Sequence, residues 1–190
     1  MARVPLVDAE DLPEEFRYCL SRPISILRAL GNAPGALHAH HEYAEWIRWR
    51  SRLDPRLRQL VIIEVGLLTE SDYEYSHHVA LGHRFGVEDA DVRELVAVLE
   101  GGGNDYFTPA ELAAFRLTRE LVEEREVRDP AWRDAESLLG TELVTEVAAI
   151  AGFYLYVATM IRVLRVEVEP EYRALLPRPA RPAEDDRSGR

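Results

Sequence analysis

Apolar residues recur at three- and four-residue spacing along most of this chain, and no stretch of useful length alternates apolar with polar. That period belongs to helices, and the punctuation agrees with it. Asp54-Pro55, Thr108-Pro109-Ala110-Glu111 and Asp129-Pro130 each set a capping side chain before a proline suited to a first helical turn. Gly31-Asn32, Gly86, Gly101-Gly102-Gly103 and Gly140 supply stops. The pattern predicts helices over about 13–20, 23–30, 34–50, 55–68, 72–85, 88–100, 109–126, 130–139 and 141–166, with Thr141 as the cap of the last. An all-α single domain, a helical bundle over residues 1–176, is the expectation. From Pro177 the chain turns to Pro-Arg-Pro-Ala-Arg-Pro and an acidic end, so 177–190 is expected to be a disordered tail.

With 190 residues there is enough chain for one domain with a real core. All 23 basic residues are arginine, so Schiff-base chemistry and a phosphate-gripping lysine are excluded. One cysteine, Cys19, excludes an internal disulfide, a Cys-x-x-Cys redox pair and a four-cysteine metal site. The formal charge of −11 argues against a nucleic-acid backbone binder, although a few arginines in one pocket can still hold a small anion. The most apolar stretch, Leu143 to Leu164, is interrupted by Glu146 and Arg162 and reads as a buried core helix, not a membrane span. Met1 to Asp11 carries three acids and no apolar run. A cytoplasmic location is the corresponding expectation.

Chemistry concentrates between Leu53 and Val87. Ser71, Glu74 and His78 stand at spacings of three and four, hence on one helix face. A carboxylate beside an imidazole orients it and poises it for proton transfer. Ser71-Asp72-Tyr73-Glu74 also has the form of a capping box, in which Glu74 would reach back to the Ser71 backbone. Spacing leaves both readings open. His77 lies about 100° from His78 on the helical wheel and should belong to a different environment.

The run Tyr73-Glu74-Tyr75-Ser76-His77-His78, after the Arg56-Leu57-Arg58-Gln59-Leu60 helix and before Phe85-Gly86-Val87-Glu88-Asp89, resembles the carboxymuconolactone decarboxylase family, which includes alkylhydroperoxidase D-like proteins. The specific match covers residues 53–99. The resemblance implies the alkylhydroperoxidase D-like helical fold and a homo-oligomer with its site near a subunit contact. The redox branch of the family uses Cys-x-x-Cys-x-x-x-His with an upstream glutamate. Those positions fall here on Ser71, Glu74, His78 and Gln59, so the branch without thiols is implied. Its chemistry is loss of carbon dioxide from a small unsaturated or lactone carboxylic acid, without a cofactor or metal. His78 is then the expected proton donor and Glu74 its orienting partner. Arg58 and Arg56 are the expected carboxylate anchors, and Ser71 and Gln59 further substrate-binding candidates. A thiol-dependent antioxidant protein of the alkylhydroperoxidase type and a non-catalytic ligand-binding oligomer are the alternatives. Nucleic-acid and membrane partners are not expected.

Two further features need a place. All six histidines lie between His38 and His83, and His41 with Glu45 repeats the one-turn spacing of Glu74 with His78. Facing each other, these pairs could hold a divalent metal, but no spacing matches a dedicated motif. Glu64 interrupts an apolar helix, where an acid is costly unless paired.

Overall fold

The computed structural model describes residues 1–102, 105–175 and 178–179. Among these residues there are eight α-helices: α1 (Ser25–Leu30), α2 (Pro34–Trp49), α3 (Pro55–Leu68), α4 (Asp72–Gly82), α5 (Asp89–Leu99), α6 (Pro109–Glu124), α7 (Asp129–Leu139) and α8 (Thr141–Leu164). Short 3₁₀ turns at Ala9–Asp11, Glu14–Leu20, His83–Phe85 and Pro170–Leu175 complete the described elements, which include no strand. The segment expected to be a first helix is therefore 3₁₀, and the 72–85 helix gives way to 3₁₀ after Gly82. Apart from residues 178–179, the tail expected over 177–190 lies outside the described residues.

The centre is α3. Every residue from Leu57 to Leu68 is buried, because the run is mostly apolar, broken only by Arg58, Gln59 and Glu64, and α4, α6 and α8 pack around it. Its start is set by the Asp54 carboxylate, which accepts from the Leu57 N–H at 2.9 Å, with Pro55 in the first turn. One glycine on α3 decides where α4 begins. A Cβ at Gly66 would stand 2.9 Å from the Tyr75 backbone nitrogen, so only glycine lets the first turn of α4 lie directly on α3. The Gly66 carbonyl accepts from the Ser71 N–H at 2.9 Å. Gly86, at φ 87°, stops the 3₁₀ extension of α4 in the left-handed region.

By length and composition α8 could cross a membrane, but Val144, Val147, Ile150, Ala151, Tyr154, Val157 and Ile161 all sit in the protein core. Glu146 is accommodated by accepting from the Ser51 hydroxyl at 2.6 Å and from the Arg52 and Leu53 N–H groups. It thereby ties α8 to the α2–α3 connection. Thr141 is the first residue of α8 and not its cap; its hydroxyl donates to Glu136 at 2.9 Å.

Candidate functional site

The site begins at the N-terminus of α4. The Ser71 hydroxyl caps the helix by accepting from the Glu74 N–H at 3.3 Å. The return half of a capping box is not made, because the Ser71 N–H is already bonded to Gly66. The Glu74 carboxyl is consequently free to face His78, one turn on, with Oε2 3.5 Å from Nε2. That is longer than a hydrogen bond. The other imidazole nitrogen, Nδ1, donates to Oε1 of Gln59 on α3 at 2.9 Å, which leaves the Nε2 lone pair toward Glu74. The Tyr154 ring meets the imidazole edge-on at 4.7 Å.

Burial sets the protonation states. With no cation against it, the Glu74 carboxyl is pushed up to about 8, so it carries its proton at neutral pH. Burial, then the charges of His77, Arg48 and Arg22, hold His78 well below the usual imidazole range. The pair is a neutral acid facing a neutral imidazole. Gln59 thus fixes the ring orientation of His78, and Glu74 is the member of the pair that holds a proton.

Both side chains line a cavity of about 90 Å³ between α2, α4, α8 and residues 19–27. Its polar lining includes Arg22, His40, His41, Glu45, Arg48 and His77, and its apolar lining includes Ile26, Leu27, Phe153 and Val157. Burial depresses His40 to about 4, so its ring is neutral. Arg48 is held in the wall by Glu45 at 3.2 Å. Cys19, distant from the family motif in sequence, also lines this cavity, and burial pushes its thiol up.

The arginines expected as carboxylate anchors are elsewhere. Arg56 is saturated by Asp91, at 2.5 and 3.0 Å, and by Glu111. Arg58 is buried with its guanidinium 5.3 Å from the centre of the Phe85 ring, outside the cavity lining. Ser71 and Gln59 likewise serve the helix cap and His78, and neither lines the cavity. The cations that do line it, Arg22 and Arg48, precede the family motif. The only sequence signal for them is Arg48 one turn beyond Ala44 and Glu45 on the histidine-bearing helix.

Of the six histidines, His40, His41, His77 and His78 line the cavity. His38 bonds the Tyr18 hydroxyl, and His83 pairs with Asp89. His41 and Glu45 do share the cavity with Glu74 and His78, but no cluster of three or more candidate ligands that could hold a metal occurs among the described residues. Glu64 is fully buried with neither oxygen hydrogen-bonded, and burial raises it well above the usual range.

Residues 34–120, which carry α2 to most of α6, match the carboxymuconolactone decarboxylase family. Over that segment the chain is similar to this family. Solved structures extend the likeness to nearly the whole fold. A debrominase, Bmp8, in complex with 2,3,4-tribromopyrrole aligns with a TM-score of 0.73 at 17% identity, covering 92% of this chain and 97% of that one. An alkylhydroperoxidase AhpD core protein from Ralstonia eutropha JMP134, described as an uncharacterized peroxidase-related protein, gives 0.74 at 16%, covering 90% and 94%. A peroxidase-related protein from Silicibacter sp. TM1040 gives 0.72 at 16%, covering 90% and 92%. No curated protein gives a match. At these identities the neighbours establish the all-α, alkylhydroperoxidase D-like fold, and their chemistry stays their own.

Proposed function

We propose that the protein is a cofactor-independent lyase that removes carbon dioxide from a small unsaturated or lactone carboxylic acid. The observation that carries this reading is Glu74, a buried carboxyl with a proton at neutral pH, aimed at an imidazole whose other nitrogen is held by Gln59. The ligand carboxylate is anchored at Arg48. The bond between that carboxylate and the ring breaks, and its electron pair moves onto the conjugated carbonyl while carbon dioxide leaves. Glu74, facing the Nε2 lone pair of His78, then protonates the carbon and takes up a proton from solvent to complete the cycle. Ile26, Leu27, Phe153 and Val157 keep the site poor in water, which favours loss of a charged group.

The test is carbon dioxide release from carboxymuconolactone by wild type and by Glu74→Gln. Wild-type turnover that declines as pH rises through about 8, and its loss in the variant, supports the reading. Equal turnover in the two proteins would overturn it.

Cys19 in the cavity wall favours a second reading, thiol-dependent peroxide reduction. It is the weaker one, because the thiol is held protonated and the chain has no second cysteine to resolve an oxidised intermediate. Homo-oligomerisation is also proposed, with exposed Tyr43, Trp49 and Tyr156 as the apolar surface it would cover. Sedimentation of the purified protein tests it.

A further inference from the structure

The cavity holds two guanidinium groups in different states. Arg48 sits in the α2 wall and is paired with Glu45. Arg22 stands on the link between the 3₁₀ turn at Glu14–Leu20 and α1, and its side chain makes no hydrogen bond or ion pair with any described residue. Its backbone is nonetheless pinned. Pro23 follows it, and the Arg22 carbonyl accepts from the Ile24 N–H at 2.8 Å in a tight three-residue turn. A fixed base thus carries an uncommitted cation.

Local charge leaves that cation in surplus. Glu45 offsets Arg48, and Glu74 is neutral at physiological pH. The Arg22 charge is felt inside the cavity, where it acts on Arg48, His78 and Tyr154. The whole chain, by contrast, carries −11 and repels an approaching anion.

We propose that Arg22 is the specificity-determining cation of this site: it draws a small organic carboxylate to the mouth of the cavity and, with Arg48 behind it, holds that carboxylate against an uncharged isostere. The proposal rests on the reading of the cavity as a carboxylate site and adds which residue selects for charge. A free guanidinium gives up no existing partner when it binds, whereas Arg48 must share its charge with Glu45. The selected ligand is a flat, singly ringed carboxylate, as the small volume and the Phe153 and Tyr154 walls require.

The experiment is calorimetric titration with 2-furoate and with its neutral isostere 2-furamide. It uses wild type, Arg22→Gln and Arg48→Gln at low and high sodium chloride. Arg22 is exposed and unpaired, so its replacement should leave folding intact. Wild type is expected to prefer furoate over furamide by about tenfold or more, the worth of a charge-assisted contact. Arg22→Gln is expected to weaken furoate about tenfold, leave furamide unchanged and flatten the salt dependence. If Arg22→Gln binds furoate as wild type does while Arg48→Gln loses it, the inference about Arg22 is overturned and the carboxylate site stands. If wild type does not distinguish furoate from furamide, both are overturned.

Discussion

Helix α4 carries two histidine–carboxyl pairs, one residue apart, with opposite characters. His77 Nε2 donates to Glu169 at 2.7 Å, and the same carboxylate accepts from the Tyr73 hydroxyl at 2.8 Å and the Ser25 N–H at 2.6 Å. Tyr73 and Tyr172 stack on the two faces of the His77 ring. Burial alone would raise Glu169, but those donors outweigh it and draw it to about 2. Glu74 receives no such donors, stands 3.5 Å from His78, and is pushed the other way to about 8. Satisfied polar groups fix structure, and a buried group left unsatisfied beside a cavity keeps its proton available for chemistry. One helix therefore supplies a strut that binds the segment after α8 to α1 and α4 and, a hundred degrees around from it, the pair proposed to be reactive.

The largest expected effect follows from this contrast. Glu74→Gln removes the proton donor and should lower turnover by about 10²- to 10⁴-fold, the usual share of positioned acid–base catalysis, while thermal stability is kept. Steady-state rates beside a melting curve check both halves. Glu169→Ala should do the reverse. Three donors lose their acceptor, which costs about 3 kcal/mol in denaturant unfolding, with kcat per folded molecule little changed. Similar rate losses in both variants would erase the distinction between strut and reactive pair.

The two carboxyls should also leave opposite marks on stability against pH. The folded-state value of Glu74 lies above its ordinary 4.5, so between about 4.5 and 8 the folded chain holds a proton the unfolded chain has released. Stability from that group falls as pH rises through this window, and Glu74→Gln should flatten the fall. Glu169 lies below 4.5, so its contribution is complete above that value and is lost as pH drops toward 2. Unfolding free energies of each variant, subtracted from wild type across pH, should give slopes of opposite sign.

The backbone of this design was legible in the sequence. Helical periodicity and the Asp-Pro and Thr-Pro starts marked α3, α6 and α7, and the one-turn spacing of Glu74 and His78 marked the pair. The surroundings were not legible, for physical reasons. Whether Glu74 closes a capping box depends on the Ser71 N–H, and Gly66 takes that donor through a close helix approach no local pattern reveals. Arg56 and Arg58 lie nearest the motif in sequence, yet helix rotation sends one to Asp91 and Glu111 and the other onto Phe85. Arg22, Arg48 and Cys19 reach the cavity from segments outside residues 53–99, and only packing brings them there. Protonation states were hidden for the same reason, since they follow burial more than residue type.

A smaller effect concerns the partner that turns His78 toward Glu74. Replacing Gln59 with leucine preserves apolar bulk but removes the acceptor of the Nδ1 proton, so both tautomers become available. Turnover should fall on the order of tenfold, in line with the loss of a histidine's outer partner elsewhere. Gln59→Glu, which restores an acceptor, should recover part of it. A kcat–pH profile separates this from simple destabilisation, because only a change in imidazole orientation moves the profile.

The smallest effect is expected at Cys19, and it bears on the comparison most directly. If the chemistry of the cavity belongs to the Glu74–His78 pair, the thiol beside it is a wall atom, held protonated by burial and without a second sulfur for disulfide formation. Cys19→Ala should then leave carbon dioxide release within about twofold of wild type, as for a buried side chain that touches no reacting atom. Hydroperoxide consumption with a dithiol donor should be at background in both proteins. Peroxide turnover present in wild type and absent from Cys19→Ala would move the reactive centre off α4 to the 3₁₀ turn at Glu14–Leu20. The Glu74–His78 pair would then be a proton relay serving a sulfur and not the donor to carbon.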